Sequence, residues 1–234
     1  MFVDETTAPV LDPGRGKTRP GNAGPIPAMT GHGREPIRRG VAYVYAPDRR
    51  AERPIAHLAG FSGILQVDGY GGYRVLSDKS GVTRAFCWAH VRRRFYELAA
   101  AGPAPIASES LTRIAGLYKI EGDIRGRSAD ERRAMRQEKS RPIIADLEPW
   151  LREKLGLISQ KTKLAEAIRY TLSRWDGLAR FLDDGRIEID SNTVERSIRP
   201  IALNRKKKCT LRRLRRRCRA LGRRRVADRN LQAQ

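Results

Sequence analysis

Cysteine is scarce in this chain: Cys87, Cys209 and Cys218 are the only three in 234 residues. Three thiols at these spacings build no disulfide framework, so a reducing cytoplasm is the expected compartment. Long apolar runs are missing as well. No stretch of about 18 apolar residues occurs, which excludes a single helical membrane span. The opening Met1-Phe2-Val3-Asp4-Glu5-Thr6 lacks the basic-then-apolar order of a secretory signal. No internal repeat is present, which sets solenoid and propeller architectures aside. Acid is in shortest supply relative to its counterpart. There are 26 Asp and Glu against 48 Lys and Arg, a net charge of +22. Such an excess points to a polyanionic partner.

The excess is uneven. Residues 205 to 229 hold 14 basic residues and one acid, with no aromatic side chain among them. Arginine runs without aromatic interleaving bind nucleic acid through its phosphates, in a salt-dependent and non-specific way. An apolar content of 40% is enough for a buried core elsewhere.

Coarse periodicity gives strands first and helices after. Val3–Leu11, Gly40–Ala46, Gly63–Asp68 and Thr83–Trp88 read as strands. Residues 12 to 40 are rich in Gly and Pro and read as a long loop, unusual inside a domain. Ile55–Phe61 and Ala89–Ala101 read as helices, the second with Val91, Phe95 and Leu98 on one face. From Ser108 to Asp183 the pattern is helical almost throughout. Its apolar sets are Leu111, Ile114, Leu117 and Tyr118, then Ile143, Ile144, Leu147, Trp150 and Leu151. A third set is Leu164, Ile168, Leu172 and Trp175, extended by Leu178, Phe181 and Leu182. The order predicts an α/β fold: a mixed core interrupted by an all-α insertion.

The segment Asp190-Ser191-Asn192-Thr193-Val194-Glu195-Arg196-Ser197-Ile198-Arg199-Pro200 opens like a helix. Asp190, Ser191 or Asn192 is suited to cap the first N–H groups. Glu195 in the first turn then faces the positive end of the dipole and stays ionised. On spacing alone two readings stand: a capped surface helix, or an acid presented to a divalent metal. Asp4 in the first strand and Asp68 at a strand end are further acids of interest. Strand-end carboxylates collect where α/β sites form. Three such groups would hold two Mg²⁺ (or Mn²⁺) ions about 3.5–4 Å apart, with no histidine cage needed. Asp4 as a plain strand edge and Asp68 as a turn residue are the alternatives.

Cys87 and His90 form a Cys-x-x-His pair. As a zinc site it lacks two partners, so a core cysteine and a helix-start histidine are the simpler reading. Arg92, Arg93 and Arg94 suit phosphate or a solvated helix face. Arg196 and Arg199, one turn apart beside Glu195, are better phosphate ligands, with a plain surface pair as the alternative.

Four stretches of this sequence resemble the bacterial DDE transposases of the IS sixty-six family. They are Asp4-Glu5-Thr6 with Asp12-Pro13-Gly14-Arg15-Gly16-Lys17, Leu65-Gln66-Val67-Asp68-Gly69-Tyr70, and Cys87-Trp88-Ala89-His90-Val91-Arg92-Arg93-Arg94-Phe95. The fourth runs from Leu164-Ala165-Glu166-Ala167-Ile168-Arg169-Tyr170 through Trp175 to the segment from Asp190 to Leu203. The resemblance implies an RNase H-like core with Asp4, Asp68 and Glu195 as its three catalytic and metal-binding acids. Cys87 and His90 are then expected near those acids, with His90 positioning DNA or water. The implied reaction is metal-dependent cleavage and joining of DNA at transposon ends. DNA is the implied partner, and a homo-oligomer is an open possibility. The implied setting is a bacterial cytoplasm, at the nucleoid. The expected division is a first core part over 1–104, an all-α insertion over 105–186, the last core helix over 187–204 and a disordered basic tail over 205–234.

Three departures from the family are expected to matter. Met1 stands just ahead of Asp4, so the family's DNA-end-binding region is expected to be missing. Past Arg205 the family reads on with Ala-Gly-Ser-Asp-Gly-Gly-Ala and an acid, whereas this chain is arginine-rich. GC-rich codons for Arg212–Arg219, read one base later, give that family text, so the tail is expected to be out of frame. Residues 19–39 fit a second, compensated shift that would leave the second strand missing or broken. The expected product is an inactive remnant. The alternatives are a non-enzymatic basic nucleic-acid-binding protein and a metal-dependent nuclease. Translation of the coding DNA in all frames tests both shifts.

Overall fold

A computed structural model describes Met1, residues 6–11, 18–26, 42–46, Arg50, 52–68, Tyr73, 81–192 and Arg196. The chain divides into two compact units, one of Met1–His57 with Asn192–Gln234 and one of Leu58–Ser191.

The first unit contains an antiparallel three-stranded sheet: β1 (Thr6–Leu11), β2 (Thr18–Ile26) and β3 (Ala42–Ala46), in that order. The helix α1 (Glu52–His57) follows, a few residues earlier than its apolar pattern predicts. Strand β2 corrects the expectation of a loop over 12–40 and of a lost second strand. Its prolines are the reason the loop reading fails. Pro20 pairs with Pro9 of β1, beyond the end of β3. Pro25 pairs with Tyr43 of β3, beyond the end of β1. Each proline therefore lies where β2 has a neighbour on one side only, the edge situation in which its missing N–H is tolerated.

The second unit starts from two parallel strands, β4 (Gly63–Val67) and β5 (Val82–Phe86), in register from Gly63 opposite Val82 to Val67 opposite Phe86. Helix α2 (Trp88–Ala101) leaves β5 directly. The helices α3 (Pro105–Asp123), α4 (Ala129–Met135), α5 (Arg141–Leu157), α6 (Lys163–Leu172) and α7 (Trp175–Ala179) follow. A π-helical turn, Arg136–Ser140, joins α4 to α5, and a 3₁₀ turn, Arg180–Leu182, ends α7.

Local chemistry sets the helix starts. Ser128 accepts from the Glu131 N–H, and the Glu131 carboxylate accepts from the Ser128 N–H, a reciprocal cap for α4. Thr162 accepts from the Ala165 N–H and caps α6. Buried residues recur every three or four positions: Trp88, Val91 and Phe95 on α2, and Ala107, Ser110, Ile114 and Leu117 on α3. Ile144, Leu147 and Leu151 on α5 and Ala165, Ile168 and Thr171 on α6 continue the core. The apolar sets predicted from periodicity pack in this one core, including Leu178, Phe181 and Leu182.

Trp88 and Trp175 meet edge to face, 6.0 Å between centroids, and the Trp88 indole donates to the Leu178 carbonyl at 2.9 Å. Gly177 lets α7 lie against β5, because a Cβ there would overlap the Phe86 ring. The fold is mixed α/β and mostly helical. Among the described residues no helix is long and apolar enough to cross a membrane.

Candidate active site at the carboxyl edge of the parallel strands

Because β4 and β5 run parallel, their C-terminal ends lie side by side. Asp68 follows Val67 and Cys87 follows Phe86, so the strand order brings these two positions to one edge. His90 comes three residues later, in the first turn of α2. Asp68 and His90 are half-buried, and Cys87 is buried.

The segment 187–191 docks onto this edge. Gln66 of β4 donates to the Glu188 carbonyl at 2.8 Å, and the Trp88 N–H donates to the Ile189 carbonyl at 3.0 Å. This satisfies the first free N–H of α2. Ile187 and Ile189 are buried in the core. Ser191 then donates twice to the Cys87 thiol, from its main-chain N–H and from its hydroxyl, each at 3.2 Å. Asn192 and Arg196 are helical. The cysteine of the Cys-x-x-His pair thus anchors the residue just ahead of Asn192. No sequence signal announces that contact.

Asp68 is held from a second direction. The Tyr170 hydroxyl on α6 donates to the Asp68 main-chain carbonyl at 3.0 Å. The Tyr170 ring lies beneath two guanidinium groups, Arg94 of α2 and Arg174, each 3.9 Å from its centroid. Arg94 also pairs with Glu166 at 3.4 Å. Burial holds the Tyr170 phenol above its ordinary pKa, while Arg174 and Arg94 pull it the other way. Two guanidinium groups stacked on one ring present fixed N–H donors of the kind a phosphate accepts from.

Arg92 and Arg93, expected from sequence to meet DNA, are exposed on α2, while the neighbouring Arg94 is the one turned onto Tyr170. Arg196 is exposed. Asp4, Glu195 and Arg199 lie outside the described residues. Among the described residues no three His, Cys, Asp or Glu side chains gather as a metal site. Asp68 itself suits Mg²⁺ or Mn²⁺, being a carboxylate oxygen donor at a partly open strand end. Arg174 and the role of Tyr170 were not read from the sequence, and Arg94 and Ser191 stood there only as a phosphate candidate and a helix cap. Their signal is three-dimensional, since α6 reaches the β4 edge from about a hundred residues away.

The profile described as the Transposase IS66 family matches residues 1–216. The chain belongs to the IS66 transposase family. The match runs on past Arg205 into the basic stretch. Two uncharacterized proteins of Sinorhizobium fredii, y4qI and y4jD, are 46% identical over 226 residues and 41% identical over 212 residues. Each alignment covers 88% of this chain, but 40% and 42% of the relatives. The chain therefore spans about two fifths of the length of the curated relatives it matches. No solved structure matches it.

Proposed function

We propose that this chain carries the catalytic centre of a transposase that cuts and joins DNA at the ends of an insertion sequence, built on an RNase H-like core. Family membership over residues 1–216 supports transposition as the process. The observation that carries the chemical reading is Asp68, placed at the C-terminal end of β4 and fixed there by the Tyr170 hydroxyl. The acid at the carboxyl edge of a parallel strand pair supports this reading, because α/β sites form at such edges.

In this reading Asp4, Asp68 and Glu195 would hold two Mg²⁺ or Mn²⁺ ions, which would supply activation of the attacking oxygen and stabilisation of the leaving one. The remaining work is positioning. A water or 3′-hydroxyl oxygen forms a new bond to phosphorus as the opposite 3′ oxygen leaves. Tyr170 keeps Asp68 from swinging away from the edge. Cys87 holds Ser191, and so the chain leading to Glu195. Arg94 and Arg174 neutralise the phosphate, with Arg92, Arg93, Arg196 and Arg199 tracking the flanking backbone. His90 orients water or DNA at the edge.

The test is divalent-metal-dependent nicking of element-end DNA. Cleavage by the wild-type chain that disappears in Asp68→Ala and Glu195→Ala supports the proposal, and undiminished cleavage in either variant refutes it. Strand joining in the same reaction separates a transposase from a nuclease. A folded wild-type chain that binds DNA without cleaving it is the inactive remnant. If that binding vanishes on deleting residues 205–234, the basic stretch is its source.

A further inference from the structure

A second feature of the Leu58–Ser191 unit lies along β5 rather than at its end. A groove of about 460 Å³ is lined by Val82, Thr83, Arg84 and Phe86 of β5, and by residues of α5 and of the region from Leu172 to Arg180. Four arginines line it: Arg84, Arg152, Arg174 and Arg180. Two carboxylates share it, Glu148 and Asp176. Glu148 is already engaged by Arg152 at 2.7 Å, one turn away on α5. Arg84 and Arg180 make no salt bridge with any described residue, and the Nε of Arg180 is buried without a hydrogen-bond partner. A buried guanidinium N–H left unpaired is costly, and Arg180 thus has no protein anion among the described residues to neutralise it.

The guanidinium groups are also pre-arranged. Arg84 and Arg174 both lie over the Phe86 ring, 5.6 and 5.9 Å from its centroid. Stacking holds their planar forks in place, so little side-chain freedom remains to be lost on binding phosphate. Arg174 stacks in addition on Tyr170, whose hydroxyl bonds the Asp68 carbonyl. The groove thus begins beside the Asp68 edge and runs back along β5 toward Val82. Four residue steps of strand cover about 13 Å, the axial rise of about four base pairs.

We propose that this groove is a binding track for the sugar-phosphate backbone of duplex DNA, with Arg84 and Arg180 as its phosphate ligands and Arg174 as the link to the Asp68 edge. The inference rests on the reading that the chain acts on DNA. It adds a subsite that places several base pairs of flanking duplex along the insertion, away from the reacting phosphate.

The experiment is a salt titration of binding to a 30-base-pair duplex by the full chain, comparing wild type with Arg84→Gln/Arg180→Gln and Arg84→Lys/Arg180→Lys. Each lost phosphate contact lowers the slope of log K against log salt by about 0.9, so the Gln variant is expected to lose about 1.8. The Lys variant keeps both charges and is expected to keep the wild-type slope. Contributions from the basic stretch at 205–229 are common to all three and cancel in the comparison. An unchanged slope in the Gln variant overturns the groove while leaving DNA binding intact. A wild-type chain that binds no DNA overturns both readings. Should the Gln variant fail to fold, wild-type protection decides. The duplex is expected to shield Arg84 and Arg180 from an arginine-specific reagent, and modification at the free-protein rate overturns the track.

Discussion

The Cys87 thiol accepts two hydrogen bonds from Ser191, one from its main-chain N–H and one from its hydroxyl, each at 3.2 Å. Both residues are buried, at 2% and 5% exposure, so neither Ser191 donor has water as a substitute. Cys87→Ala removes the acceptor and leaves both donors unpaired, at an expected cost of about 1–3 kcal/mol. Cys87→Ser keeps an acceptor at the same position and is expected to cost less. Urea denaturation of the three proteins measures the order. If Ala proves no worse than Ser, the thiol is only filling space.

Tyr170 gives a pH-dependent prediction. Its hydroxyl donates to the Asp68 carbonyl at 3.0 Å, and burial raises its pKa above the ordinary value of 10.0. The folded state therefore holds the phenolic proton more tightly than the unfolded state does. The stabilising contribution is fully present below pH 10.0 and is lost as pH rises through the raised folded value. Tyr170→Phe keeps the ring under Arg94 and Arg174 and deletes only the hydroxyl. It is expected to lower stability by about 1 kcal/mol at neutral pH and to abolish this alkaline loss. Stability curves from pH 8 to 12 for both proteins, with absorbance titration of the phenol, test the sign. Under the proposed function, kcat falls in this variant more than KM changes, because Asp68 loses its tether rather than its contact with DNA.

Gly177 predicts a packing effect. It sits on α7 where a Cβ would overlap the Phe86 ring and lie 3.2 Å from the Arg84 carbonyl. Phe86 is a strand residue, and its ring is not a flexible tip that swings aside. Gly177→Ala is expected to destabilise by about 1–3 kcal/mol, despite the better helix propensity of alanine. Thermal denaturation measures it, and a rise in Tm would mean that α7 moves off β5 at little cost.

These contacts show what could be read from the chain before its fold. The helical core was legible because its buried residues recur every three or four positions over long stretches, as with Ile144, Leu147 and Leu151. Asp68 was legible as a strand-end acid because Gly69 follows an apolar run. Strand β2 was not legible, since nothing local reveals that Pro20 and Pro25 each face a single neighbour. The link from Cys87 to Ser191 spans about a hundred residues, so the Cys-x-x-His spacing, read as a core cysteine and a helix-start histidine, carries no sign of it. Arg94 was indistinguishable from Arg92 and Arg93 by composition. Only the position of Tyr170 on α6 separates the stacked arginine from its exposed neighbours.

The π-helical turn between α4 and α5 holds a buried ion pair. Arg136 is fully buried there. Its Nε and Nη2 donate to the two carboxylate oxygens of Glu121 at 2.6 and 2.7 Å, and its Nη1 donates to the carbonyls of Phe181 at 2.9 Å and Asp184 at 3.2 Å. The extra residue of a π turn is where helices turn side chains to special duties. Here it aims a guanidinium at the loop that leads from α7 to the docked segment 187–191. Removing one partner of a buried pair strands the other, so Arg136→Met and Glu121→Leu are each expected to cost about 3–5 kcal/mol. Replacing both removes the stranded charge, and the double variant is expected to be more stable than either single one. A double-mutant cycle by urea denaturation measures this coupling, and simple additivity would show that the two side chains act independently. The double variant then separates stability from placement. Its fold should hold, yet Phe181 and Asp184 lose their shared donor. Under the proposed function, DNA cleavage is therefore expected to fall in a protein of near-normal stability, which a purely structural ion pair would not cause.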